Sequence, residues 1–265
     1  MDVHLPARAF VEARRNAVGL PEYPGPLPAD LDQAYAIQDA AINLWSRAEG
    51  GVEPGGWKAG LIAPQLRTPG GDERLIGPVW PDAVHRLEDD TLLRLPVFGD
   101  GFVAVEAEFV VRLDAAVDAG AWTAEQVAGL PLTVFAGVEI ASSPLAAIND
   151  LGPAVTISDF GNNAGVIIGS ELPAGTDLTS VPVRTTLGDE VVGEAAGAAR
   201  PDVVPTSLAQ TLTILGRRGW SVPAGSVFAT GALTGVHQAA VGQTATVRFG
   251  HLPELRFELV PARPR

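Results

Sequence analysis

Residues 103–113 read Val-Ala-Val-Glu-Ala-Glu-Phe-Val-Val-Arg-Leu, and this stretch decides the fold class. Val103, Val105, Ala107, Phe109, Val111 and Leu113 share one side of a period-two repeat, the pattern of a half-buried strand. Glu106, Glu108 and Arg112 fall on the other side. Working outward, the apolar runs 132–141, 155–158 and one ending at 166–169 read as further strands, as do 226–230, 244–249 and 255–260. A helix is expected at 207–216, capped by Thr206 or Ser207. Ahead of the strands, Leu31, Ala34, Tyr35, Ala41, Ile42 and Trp45 recur at helical spacing, with Asp30 placed to cap. The expectation is an α+β chain, with a helical N-terminal region at 1–56 and a larger, mainly β domain at 57–265. The 30 Gly and 22 Pro agree, since they favour short strands and tight turns over long helices.

A chain of 265 residues suits one large domain, or one domain with an appendage. Its formal net charge of -13 argues against a nucleic-acid partner, which would require clustered Lys and Arg, and so favours a small ligand. With no cysteine there is no disulfide, no thiolate nucleophile and no sulfur-held metal. No leader pattern and no apolar run near the roughly 20 residues of a membrane span occur, so a cytoplasmic protein away from membranes is expected. Gly161-Asn162-Asn163-Ala164-Gly165 lacks the spacing of a dinucleotide loop, and no Gly-x-Ser-x-Gly nucleophile elbow is present.

Function shows in charges that stand alone. Glu139 is the only charged residue between Gln126 and Asn149, inside a run that reads as a buried strand. A carboxylate there must be protonated, paired or bound to a cation. Asp159 stands equally alone between Leu151 and Ser170. Glu106 and Glu108 share one strand face, which is either a solvated surface with Arg112 or two ligands converging on one ion. Three glutamates on two apolar strands strengthen the second reading. Lys58 is the single lysine of the chain and sits in the uncharged block Gly55-Gly56-Trp57-Lys58-Ala59-Gly60, where an amine can meet a ligand closely. His4, His85, His237 and His251 lack metal-ligand spacing, so an all-oxygen site for Mg²⁺ or Mn²⁺ is expected rather than zinc or copper.

Taken in order, the blocks Ala34-Tyr35-Ala36-Ile37-Gln38-Asp39-Ala40, Gly56-Trp57-Lys58-Ala59-Gly60-Leu61, Val105-Glu106-Ala107-Glu108, Gly137-Val138-Glu139-Ile140, Ser158-Asp159 with Gly165 and Gly169, and Ala224-Gly225-Ser226 with Thr230-Gly231-Ala232-Leu233-Thr234 form a pattern. It resembles the 2-oxopent-4-enoate (2-keto-4-pentenoate) hydratases and 4-oxalocrotonate decarboxylases of the fumarylacetoacetate hydrolase superfamily. The resemblance runs from about Pro28 to Phe249. It implies a helical N-terminal part on a mixed β-roll domain, a Mg²⁺ or Mn²⁺ ion held by Glu106, Glu108 and Glu139, and Lys58 at a small 2-oxo acid substrate of the meta-cleavage routes of aromatic catabolism. It also implies a homo-oligomer that associates with a pathway enzyme. Asp159 is then a second catalytic candidate, and Leu61, Asn162, Asn163, Thr230 and Gly231 are substrate-binding candidates.

Ile62-Ala63 replace a Thr-Ser pair usual in that family, Asp159-Phe160-Gly161-Asn162-Asn163 replaces its Asp-Asn-Ala-Ser type loop, and Ala232 follows Thr230-Gly231 where a serine is usual. The metal end of the substrate is therefore expected to match the family and the distal end to differ. Hydration of a 2-hydroxy-2,4-dienoate is the first reading. Decarboxylation of a 4-oxalocrotonate-like diacid is the alternative, with Arg67 or Arg184 as the distal cation. A non-catalytic subunit that binds 2-oxo acids is the alternative of another class. Hydrolysis ranks below these, because no His–Glu dyad on a lid is found in the N-terminal half.

Overall fold

The computed structural model describes residues 2–87, 92–118 and 120–265. Two helices come first, α1 (His4–Asn16) and α2 (Leu31–Ala48), and the Asp30 side chain caps α2 by accepting from the Gln33 N–H. α1 was not anticipated, yet Ala7, Phe10, Val11 and Arg14 lie at helical spacing and are all buried. The chain then runs through β1 (Gly56–Leu61), β2 (Arg74–Val79), β3 (Val84–Arg86), β4 (Leu93–Val97), β5 (Phe102–Leu113), the short α3 (Ala124–Ala128) and β6 (Leu132–Ser143). It continues as α4 (Pro153–Ser158), β7 (Asn163–Glu171), β8 (Val183–Leu187), β9 (Glu190–Ala195), α5 (Val203–Arg217), β10 (Val227–Ala229), β11 (His237–Gln238), β12 (Thr244–Phe249) and β13 (Leu255–Pro261).

Two expected elements need correction. Residues 155–158 belong to α4 rather than to a strand: Gly152 turns the chain at φ 96°, and Pro153 occupies the first helical position. A short apolar run is compatible with either element, and the flanking Gly-Pro decides. α5 starts a turn earlier than 207, and its N-cap is Asp202, whose carboxylate accepts from the Thr206 hydroxyl at 3.2 Å.

The strands form two sheets. One has the order β2-β1-β10-β5-β6-β7-β3, with β11 also on β5, and the other runs β4-β13-β12-β8-β9. The odd-numbered side chains of β5 pack toward the second sheet, where Phe109 meets Phe249 at 5.8 Å between ring centroids. Its even side is buried as well: Ala104 joins an apolar cluster with Phe10 and Tyr23, and Val110 joins another with Val79 and Val166. β5 is therefore buried on both faces rather than half-buried, and Glu106 and Glu108 lie between two apolar clusters. Among the described residues no helix is long and apolar enough to cross a membrane.

Candidate metal centre

The β5–β6 register places Glu106 directly opposite Glu139, and Glu108 opposite Gly137. Like charges directly opposed destabilise a sheet, and here Glu106, Glu108 and Glu139 are only 8%, 0% and 0% exposed. One carboxylate oxygen from each lies within 4.8 Å of the other two. The other edge of β5 pairs with β10 at 110–112 and with β11 at 104–105. A loop crosses the interval between them. There Thr230 Oγ1 donates to the Phe109 carbonyl, the Leu233 N–H donates to the Ala107 carbonyl and the Gly231 N–H donates to Glu108 Oε2, each at 2.8 Å.

Lys58 reaches the cluster from β1, with Nζ 3.3 Å from Glu139 Oε1 and only 3% exposure. Burial pulls its ammonium down, but Glu139, Glu106 and Glu108 together outweigh burial and the net direction is upward. Burial and then Glu139 push Glu106 up to about 7, against Lys58. Burial, Glu139 and Glu106 hold Glu108 well above the usual carboxylate range. One ammonium cannot balance three carboxylates, and Glu108 Oε1 and Glu139 Oε2 are buried without a partner. The donor set fits a hard divalent cation that takes oxygen ligands.

Lys58 and Glu106 open into a pocket of about 290 Å³ that Leu61 and Asn162 also line, together with Asn149 and Thr156. Asn162 is 3% exposed; its Nδ2 donates to Asn149 Oδ1 at 3.0 Å, and its Oδ1 has no partner. Of the other expected substrate contacts, Thr230 donates to β5 and Gly231 to Glu108, and neither is in the pocket lining. Asn163 donates from Nδ2 to Glu139 Oε1 at 3.0 Å and lies outside the pocket lining.

Asp159, expected as a catalytic candidate, is one half of a buried ion pair. Its two oxygens accept from Arg14 Nε at 2.5 Å and Nη2 at 2.9 Å, leaving the carboxylate committed and away from the pocket. The distal-cation guesses also fail. Arg67 donates to the Ile62 carbonyl and pairs with Glu73, and Arg184 pairs with Glu194 on the exposed side of the second sheet. The residues missed from sequence are Arg14, Asn149, Thr156 and Arg74, the last donating to the Thr230 carbonyl at 3.2 Å. Only Arg14 left a sequence signal, as a charge in an apolar helical stripe.

No protein-family model matches the sequence, and no curated protein matches it. Solved structures do match. The 4-oxalocrotonate decarboxylase of Pseudomonas putida G7, complexed with magnesium and adipate, superposes with a TM-score of 0.79 at 22% identity, covering 97% of each chain. The fumarylpyruvate hydrolase of Pseudomonas aeruginosa, in complex with Mn²⁺ and pyruvate, gives 0.55 at 16% identity over 77% of this chain and 88% of that one. The 5-carboxymethyl-2-hydroxymuconate delta-isomerase of Mycobacterium smegmatis gives 0.52 at 16% identity over 77% and 78%. At such identities the likeness is one of fold. The helical N-terminal region and mixed β sheets of this chain are those of the 4-oxalocrotonate decarboxylase fold, the fold that the resemblance to the fumarylacetoacetate hydrolase superfamily implies.

Proposed function

We propose that this chain is a divalent-cation-dependent hydratase that adds water to a 2-hydroxy-2,4-dienoate and yields a 4-hydroxy-2-oxo acid. The observation that carries this reading is the charge asymmetry of the pocket. Lys58 and Glu106, at its buried end, are the only ionisable residues lining it among those described. Its outer wall is Leu61, Leu66 and Val236, which are 60%, 54% and 53% exposed. A substrate charged at one end and neutral at the other matches that gradient.

Glu106, Glu108 and Glu139 would hold Mg²⁺ or Mn²⁺, which when bound supplies Lewis acidity toward the carboxylate and 2-oxygen of a 2-oxo acid. The chain's own groups do the rest. Lys58 Nζ, beside Glu139, pairs with the substrate carboxylate or carries the proton that the diene terminus must gain. In the net reaction C4 takes the hydroxyl of water, C5 and C3 each gain a hydrogen, and the enol hydrogen leaves the 2-oxygen. The free Asn162 Oδ1 is a buried acceptor in the lining that can orient the water.

A 4-oxalocrotonate-like diacid would lay its second carboxylate against the apolar side chains of Leu61, Leu66 and Val236, where the lining offers no cation to pair with it. Decarboxylation therefore ranks second despite the fold likeness. A non-catalytic 2-oxo acid-binding subunit would have no need of two unpartnered carboxylate oxygens around one lysine. The test is an ultraviolet assay of 2-hydroxypenta-2,4-dienoate and its carboxylated analogue, each with Mg²⁺ and with chelator. Mg²⁺-dependent loss of the monoacid's absorbance without CO₂ release is expected. Turnover of the diacid alone would overturn the hydratase reading, and turnover that survives chelation would overturn the metal.

A further inference from the structure

Arg14, from the first helix, does not line the pocket that holds Lys58 and Glu106. Arg14 is 8% exposed, and its guanidinium lies over the rings of Phe98 and Phe160, 5.6 and 5.3 Å from their centroids. Besides the two oxygens of Asp159, it donates to the main-chain carbonyls of Asn163 and Ser142, both at 3.0 Å. These two carbonyls flank a defect in the sheet. Along β6 and β7, Ile140 opposes Gly165 but Ala141 opposes Asn163, so Ala164 is the extra residue of a β-bulge.

The bulge has a consequence for side-chain direction. In an unbroken ladder Ala141 would oppose Ala164, and Asn163 would oppose Ser142, which points to the face opposite Glu139. The extra residue moves Asn163 to the face of Ala141 and Glu139, where Nδ2 donates to Glu139 Oε1, the same oxygen that Lys58 approaches. The chain enters the bulge through three consecutive left-handed residues, Phe160, Gly161 and Asn162, at φ 53°, 63° and 57°. Such a conformation is unfavourable for a bulky Phe and persists only where surrounding contacts impose it. Arg14 grips Asp159 before the turn and the Asn163 carbonyl after it, while Phe160 itself stacks on the guanidinium.

We propose that Arg14 is a positioning residue: by holding the bulge and the left-handed turn closed, it keeps Asn163 on Glu139 and so sets the affinity of the carboxylate cluster for its cation. The inference rests on the cation reading above. It makes the first helix part of the metal centre, although none of its residues lines the pocket.

The test uses the full chain and Mn²⁺ titration, with near-ultraviolet circular dichroism as the check on folding. Removing Arg14 alone would strand a buried carboxylate, so the main variant is R14M/D159N, which removes both charges together. Mn²⁺ affinity is expected to fall about 10–100-fold, the usual effect of losing a group that orients a ligand. N163A should show a loss of the same order, and the triple variant should bind no more weakly than the poorer of the two, because both act through one contact. Should R14M/D159N fail to fold, R14K serves: it keeps the charge but lacks the planar fork that reaches acceptors on three residues, and the same loss is expected. A folded Arg14 variant within about twofold of wild-type affinity, or losses that multiply in the triple variant, would overturn the proposal. Wild-type protein that binds no Mn²⁺ would instead bring down the cation reading, and this inference with it.

Discussion

Neutralising a metal ligand should stabilise this protein when no cation is present. Glu106 is buried opposite Glu139, and burial followed by that neighbour raises it from 4.5 to about 7. The sign follows from proton linkage. Between those two values the folded chain keeps a proton that the unfolded chain has released, so stability falls as pH rises through the window and stays low above it. A rise of about 2.5 units corresponds to about 3 kcal/mol at 1.36 kcal/mol per unit. Glu106→Gln removes that penalty. In chelator near pH 8, the variant should unfold several degrees above wild type, with a gain of up to about 3 kcal/mol. Near pH 4 the two should coincide, since Glu106 is then protonated in both folded and unfolded wild type. Mn²⁺ at about 1,000 times its dissociation constant should stabilise wild type by about 4.1 kcal/mol and leave the variant nearly unmoved, reversing their order. Thermal or urea unfolding at both pH values, with and without Mn²⁺, is the assay. A Glu106→Gln protein less stable than wild type in chelator near pH 8 would mean that the carboxylate is compensated in some other way, and the electrostatic account of the cluster would fall.

Glu139→Gln should abolish Mg²⁺-dependent turnover while leaving circular dichroism unchanged, and near wild-type kcat would contradict its assignment as a ligand. Lys58→Arg keeps the charge but cannot match a compact amine in a buried position 3.3 Å from Glu139, so kcat should drop by about 10²-fold or more; an unchanged rate would leave Lys58 a purely electrostatic role. Leu66→Arg supplies the cation missing from the outer wall and should shift kcat/KM toward the carboxylated analogue by about tenfold, measured in competition between the two substrates. Gly77→Ala would bring a Cβ within 2.0 Å of the Phe160 carbonyl oxygen, against backbone that cannot yield. The variant should lose several kcal/mol of stability or fail to accumulate as soluble protein, and a wild-type melting temperature would show that the left-handed turn can shift.

Much of this protein was written in local pattern. The alternation at 103–113, the helical spacing around Asp30 and the isolated charges Lys58, Glu106, Glu108 and Glu139 depend only on neighbours along the chain, and the helical region and carboxylate strands stand where those patterns placed them. What the pattern could not carry was anything that depends on which segments meet. Glu106 faces Glu139 because of a β5–β6 register, and β5 lost its solvent face because α1 and the flanking strands cover it. Residues 155–158 became helical because Gly152 and Pro153 outweigh a short apolar run.

Asp159 and Arg14 show the division most sharply. An isolated acid in an apolar stretch signals that some cation must answer it, and that much is a matter of sequence. Whether the answer is a metal, a substrate or an arginine is settled by distance in space, and the arginine stands 145 residues away in a helix whose stripe it interrupts. Sequence determined which groups could not remain alone in a core; tertiary structure chose their partners, because electrostatic compensation acts over a few ångströms of space and takes no account of separation along the chain.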